Sequence, residues 1–221
     1  MKTVAIIQAR IGSVRLPGKV LMDIEGKSML QRVVERTKQA KLIDQTILTI
    51  PETQQNQNLK GFAINHAISY YPGSETDVLD RFYQTALKHA RGETIIRITG
   101  DCPLIDPDII DRGIRVFDAG DYDYVDNANN PDGMDTEVFS FDVLREAWKD
   151  ATSPYDREHV TSYIVNHPDI FRIGKIMTED YTGLYWWSVN ILADLEFVRR
   201  VYQELGEDFH LEDVIKLVEE K

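Results

Sequence analysis

A single cysteine, Cys102, stands in a chain of 221 residues. One thiol cannot build a disulfide framework, and its solitude fits a reducing compartment. Long apolar runs are missing too: nothing approaches the roughly 20 residues that a membrane-spanning helix needs. The start, MKTVAIIQAR, is apolar too briefly and charged too soon to read as a secretion signal. The expectation is a cytoplasmic protein with no membrane partner. Basic residues are scarce, with 25 Lys and Arg against 37 Asp and Glu and a formal charge of -12. Such a surface repels phosphate backbones, so nucleic acid is not an expected partner. No internal repeat or low-complexity tract appears.

What is present is an alternation. TVAIIQA, TILTI, ISYY and TIIRITG read as short buried strands, and helical periodicity separates them. SMLQRVVERTKQAK and TDVLDRFYQTALKHA are amphipathic. This pattern predicts an α/β fold, a three-layer, doubly wound and mostly parallel sheet of Rossmann-like kind, with its ligand outside the carboxyl ends of the strands. The length suits one domain over residues 1–221. From about residue 120 to 185 the pattern changes, as aromatic and acidic residues interleave around the turn signal NNPDG; an insertion is expected there. Beyond it, YDREHVTSYIVNHP reads as a helix and LYWWSVN as a strand, before two closing helices.

Cations cluster in one place. The stretch QARIGSVRLPGK follows the first strand and carries Arg10, Arg15 and Lys19 on a loop with Gly12, Ser13 and Gly18. Backbone N–H groups and a helix terminus converge at such a turn, and glycines let the chain approach an anion closely. A polyphosphate is one reading; a solvated basic loop with a turn at Pro17-Gly18 is the other. The spacing matches neither the G-x-x-x-x-G-K-[ST] phosphate loop nor G-x-G-x-x-G. At the end of the fourth strand, TGDCPLID offers Asp101 either as a carboxylate for Mg²⁺, a hard cation that also bridges substrate phosphates, or as a cap on the turn.

These motifs occur together with GSETDVLDRFYQTA, DGMDTEVFSFDVLREAW and REHVTSYIVNHPDIFRI. In this order, the blocks resemble the cytidylyltransferase family of spore-coat polysaccharide biosynthesis, the SpsF type, itself similar to the synthetases of CMP-activated acidic sugars. The resemblance implies the nucleotide-diphospho-sugar transferase fold and transfer of CMP from CTP to a sugar, an acidic one by analogy, with release of pyrophosphate. By position, Arg10, Gly12, Ser13, Arg15 and Lys19 would cradle the triphosphate, with Arg10, Lys19 and Asp101 as the catalytic set. Gly73, Ser74 and Asp77 would lie near the base. Asp132, Asp135, Glu137, Glu158 and His159 would face the sugar, although a helix bearing Glu158 and His159 would equally put one in solvent and one in the core. Mg²⁺ would be the cofactor and a homodimer the assembly, with the aromatic stretch from Tyr122 to Phe141 and the Trp186-Trp187 pair as contacts.

The chain also departs from the pattern. Related enzymes present VDTPEDL near the C-terminus, where this chain has SVNILADL, so that Asn190 stands in place of a metal-binding Asp and the site loses one negative charge. Val14 replaces a hydroxyl residue. These departures keep two other readings open: a nucleotide-binding homologue without turnover, or a metal-dependent glycosyltransferase using DYD at Asp121 to Asp123.

Overall fold

The computed structural model describes residues 2–176 and 180–220. In chain order its elements are β1 (Thr3–Gln8), the short hairpin β2 (Asp23–Ile24) and β3 (Lys27–Ser28), α1 (Met29–Gln39), β4 (Gln45–Pro51), α2 (Gln57–Asn65), β5 (Ser69–Gly73), α3 (Val78–His89) and β6 (Thr94–Thr99). Then come α4 (Pro107–Ala119), β7 (Tyr124–Asp126), β8 (Glu137–Ser140), α5 (Phe141–Asp150), α6 (Pro154–Glu158), α7 (Ser162–Asn166), β9 (Ile173–Lys175), α8 (Leu192–Leu205) and α9 (Leu211–Glu219).

Seven strands form one sheet in the order β5-β4-β1-β6-β8-β7-β9. β1 lies between β4 and β6 and is parallel to both. Alternate residues of β1 supply two cores. Val4 and Ile6 join Leu79 and Phe82 of α3 and Leu144 of α5, while Ala5 and Ile7 join Val33 of α1, Ile110 of α4 and Val198 of α8. A strand apolar on both faces must be covered on both, which is why this is a three-layer α/β fold. The segment expected as an insertion donates three strands to the same sheet: β8 pairs antiparallel with β6, β7 antiparallel with β8, and β9 parallel with β7.

The chain leaves β1 toward β4 on one side and reaches β6 on the other, so the carboxyl ends of β1 and β6 flank the switch point. They approach closely there. The Gly100 N–H donates to the Gln8 carbonyl at 2.8 Å, and a Cβ on Gly100 would come within 2.9 Å of that oxygen. Any larger residue would push the strand ends apart.

Two sequence expectations fail locally. LYWWSVN is not a strand; only an isolated bridge joins Trp186 to Asp132. It crosses the strand ends instead, with the Trp187 N–H donating to the Asp132 carbonyl and the Val189 N–H to the Asp101 carbonyl. Trp187, Ser188 and Val189 are consecutively buried, but the N–H groups of 187 and 189 are taken by these turn carbonyls and not by a neighbouring strand. Likewise YDREHVTSYIVNHP is two short helices, α6 and α7, broken at residues 159–161.

A buried arginine ties the C-terminal helices down. Arg36 of α1 is 2 % exposed and donates to the carbonyls of Ile105, Glu207 and Phe209, with its guanidinium 3.8 Å from the centroid of the Phe209 ring. Arg36→Ala would leave three carbonyls short of a donor and a hole beneath the ring. The expected cost is about 3 kcal/mol in a urea titration; a loss below about 0.5 kcal/mol, the range of ordinary surface changes, would show that the clamp is idle.

Candidate active site

A cleft of about 380 Å³ opens at the carboxyl ends of β1 and β6. The loop after β1 brings Arg10, Ser13, Arg15 and Lys19 to it, and the turn after β6 brings Asp101. Lys19 is the pivot. It is 7 % exposed, and its ammonium donates to Asp101 Oδ2 at 2.6 Å, to the Val189 carbonyl at 2.6 Å and to Asn190 Oδ1 at 3.3 Å. Arg15 donates to the same Asn190 oxygen at 2.7 Å. The amide orientation of Asn190 is set by Nδ2, which donates to Ser188 Oγ at 3.0 Å. Its backbone N–H is held by Asp194 Oδ2 at 2.7 Å, in the first turn of α8.

The opposite wall carries another cation. Arg81 of α3 is 2 % exposed, and its Nε has no hydrogen-bond partner among the described residues. Burial, and next the neighbouring Arg10 charge, lower its pKa to about 10. One Nη donates to the Ser74 carbonyl. Gly73 makes this placement possible, because a Cβ there would lie 2.8 Å from Arg81 Cγ. Two guanidiniums of like sign facing one hollow, one of them buried and incompletely paired, form a place where an anion is electrostatically favoured.

The floor is built by β1 and β6, with β8 behind them. Arg97 lines the cleft and is ion-paired with Glu137, its partner in the antiparallel register. Gln8 Oε1 accepts from Arg97 Nε at 3.2 Å, and Glu137 Oε1 accepts from the hydroxyls of Tyr124 and Thr161, each at 2.6 Å. Although burial disfavours its charge most, Arg97 and these donors outweigh burial and hold Glu137 below the usual carboxylate range.

Eight of the site residues expected from sequence therefore line one cleft, Arg10, Ser13, Arg15, Lys19, Asp101, Glu158, His159 and Asn190, and Val14 lines it with them. Others lie behind its walls. Gly12 abuts Gln55 and Glu75; Gly73 and Ser74 support Arg81; Asp77 caps α3 and is ion-paired with Arg157. Glu137 does not face the cleft but holds Arg97, since both its oxygens are occupied. Asp132 and Asp135 sit in the turn before β8, outside the lining, where the Gly133 N–H donates to Asp135 Oδ2 at 3.0 Å. Asp121 and Asp123 both pair with Arg172, away from the cleft, so DYD does not face it. Of the tryptophan pair, Trp186 is exposed and Trp187 buried.

A family model described as cytidylyltransferase matches residues 4–206. The chain belongs to the cytidylyltransferase family. It is 34 % identical to the spore coat polysaccharide biosynthesis protein SpsF of Bacillus subtilis, over 91 % of this chain and 87 % of that one. It is 33 % identical to 3-deoxy-manno-octulosonate cytidylyltransferase 2 of Hydrogenovibrio crunogenus, over 73 % and 61 %. A cytidylyltransferase structure from Leptospira borgpetersenii superposes with a TM-score of 0.94 at 27 % identity, covering 100 % of this chain and 94 % of that one.

Sequence reasoning missed Arg81, Arg97, Gln8 and Thr99, all lining residues of this cytidylyltransferase. Two of them left a signal: an arginine inside the strand TIIRIT and one on the apolar stripe of α3 are charges where a core residue is expected.

Asp135 is exposed, in the turn that also carries Asp132. Desolvation, with help from Asp132 and Glu137, raises its pKa from 3.8 to about 6. A carboxyl whose folded pKa exceeds its unfolded value favours the folded state less as pH climbs from the lower value through the higher one. Asp135→Asn is therefore expected to raise the melting temperature at about pH 8, with a gain that shrinks below about pH 6 and disappears near pH 4. A gain equal at all three values in a thermal melt would refute this.

Proposed function

We propose that this cytidylyltransferase transfers CMP from CTP to a hydroxyl of a sugar, an acidic one, for surface polysaccharide or glycan assembly. The observation that carries this reading is the crowding of Arg10, Arg15, Lys19 and Arg81 around one hollow at the switch point of an acidic protein. The two relatives named above support the sugar and its acidity: one is named for a coat polysaccharide and the other for an octulosonate.

In the proposed reaction the acceptor oxygen attacks the α-phosphorus. The new P–O bond forms as the bond to the β-phosphate bridge breaks; pyrophosphate leaves, and the hydroxyl proton passes to a base or water. The chain's own task is positioning and charge compensation, the dominant needs of phosphoryl-type transfer. Arg10 and Arg81 would take phosphate oxygens from opposite walls, while Lys19, whose three N–H bonds are all taken, would supply a fixed positive charge and exchange its longest contact, that to Asn190 at 3.3 Å, for a phosphate oxygen.

The residues also fit Mg²⁺. Among the described residues Asp101 Oδ1 has only a 3.9 Å contact from Cys102 Sγ, and Asn190 Oδ1 lies nearby as a neutral oxygen that Arg15 and Lys19, its present donors, would release to the ion on turning to the phosphates. Among the described residues no group of three or more His, Cys, Asp or Glu could hold a metal. One carboxylate with waters and substrate phosphates is nevertheless an ordinary Mg²⁺ environment. Asp101 and Asn190 would hold the ion, which when bound would neutralise charge on the phosphates.

The test is pyrophosphate release from each nucleoside triphosphate, with Mg²⁺ and a panel of sugar acids and neutral sugars. Release with CTP and a sugar acid is expected. Tight CTP binding without release under any condition would favour the nucleotide-binding homologue. Lys19→Ala should weaken CTP binding by about 1.5 to 3 kcal/mol by calorimetry, the usual worth of a hydrogen bond to a charged group. Unchanged affinity would remove the loop from the nucleotide site.

A further inference from the structure

The break between α6 and α7 falls where the chain enters the cleft. Glu158 and His159 line the cavity, and neither side chain makes a hydrogen bond within the described residues; His159 only leans on the Tyr155 ring, 4.3 Å away. The residues immediately flanking these two are anchored. On one side Arg157 grips Asp77: Nε lies 3.0 Å from each carboxylate oxygen and Nη2 lies 2.7 Å from Oδ2, while Nη1 donates to the Trp148 carbonyl at 2.8 Å. On the other side Val160 is fully buried, and the Thr161 hydroxyl donates to Glu137 Oε1 at 2.6 Å. Asp156 ties the two feet together, accepting from Ser153 Oγ and from Ser162 Oγ at 2.6 Å each.

The anchors belong to different parts of the cleft, one wall and the floor. Asp77 caps α3, the helix that carries Arg81, and Glu137 holds Arg97 in the floor. We propose that residues 157–161 form a tethered arch, in which Asp77 and Glu137 act as positioning residues that hold Glu158 and His159 against the acceptor. This rests on the cytidylyl transfer proposed above. Exposed side chains without partners inside the protein, on a backbone pinned one residue away on each side, have the arrangement needed to bind hydroxyls of a sugar: free donors and acceptors at fixed positions. The continuous helix read from the sequence would have turned these two residues to different sides. The two tethers provide the physical reason that it breaks.

Two substitutions cut one tether each with little change of shape. Asp77→Asn keeps an oxygen for the Asp80 N–H, and so the cap of α3, but removes the charge that Arg157 grips. Thr161→Val removes the hydroxyl alone. Both variants are expected to melt cooperatively and to raise KM for the accepted sugar about tenfold or more, as displaced positioning groups imply, and Thr161→Val, remote from Arg81, is expected to keep CTP affinity within about twofold. Arg157→Lys, which retains the charge but loses the fork, should give an intermediate KM. In isotope-labelled protein the ring resonance of His159, identified by its loss in His159→Gln, should shift and broaden in both variants. An unmoved resonance would overturn the arch, and so would an equal loss of CTP affinity and sugar KM in Thr161→Val. If no sugar supports turnover by the wild type, the proposed function falls, and the His159 resonance still decides whether the tethers set this segment.

Discussion

The site depends on one buried ammonium. Lys19 meets a carboxylate, a carbonyl and an amide oxygen, and so joins three separate pieces of chain: the loop after β1, the turn after β6 and the segment that precedes α8. Removing an ammonium from water costs several kcal/mol, which a single ion pair rarely repays by itself. Here three acceptors share the charge, and Asp101 keeps part of its carboxylate surface open to the cleft. The arrangement is a poor device for stability and a good one for holding a donor still. It also explains how the crossing segment stays over the strand ends without joining the sheet.

Around that pivot the electrostatics are inverted relative to the rest of the molecule. A chain of net charge -12 gathers Arg10, Arg15, Lys19, Arg81 and Arg97 at one cleft. A cationic hollow in an acidic body concentrates its field at the mouth, which favours small anions over extended polyanions such as nucleic acid. Within the hollow the cations differ in kind. Lys19 and Arg97 are compensated by Asp101 and Glu137, whereas Arg81 and its neighbour Arg10 face each other with no carboxylate among the described residues paired to either. The compensated pair are fixed donors, and the uncompensated pair supply the net attraction.

Much of this was legible in the sequence, because local rules governed it. The strand pattern, the glycine loop and the strand-end aspartate follow from period, turn chemistry and the switch-point rule, and the cations of the loop do share a hollow with Asp101. What escaped was set by tertiary contacts. Arg81 and Arg97 drew no notice within a helix and a strand, since nothing local shows that their tips reach a cleft. Glu137 read as a sugar ligand, yet Arg97, Tyr124 and Thr161, distant in sequence, occupy both its oxygens. The strands β7 and β8 were hidden because at three and four residues they are too short to show a period. Helical periodicity across residues 155–168 was present, but two tethers override it.

The central claim is that a nucleoside triphosphate settles between the Arg10 and Arg81 walls beside Lys19. A crystal structure of the protein with CTP bound tests it most directly. Phosphate oxygens within hydrogen-bond distance of Arg10, Lys19 and Arg81 are the expected result. A triphosphate lodged elsewhere, with Arg81 still lacking a partner at Nε, would contradict it.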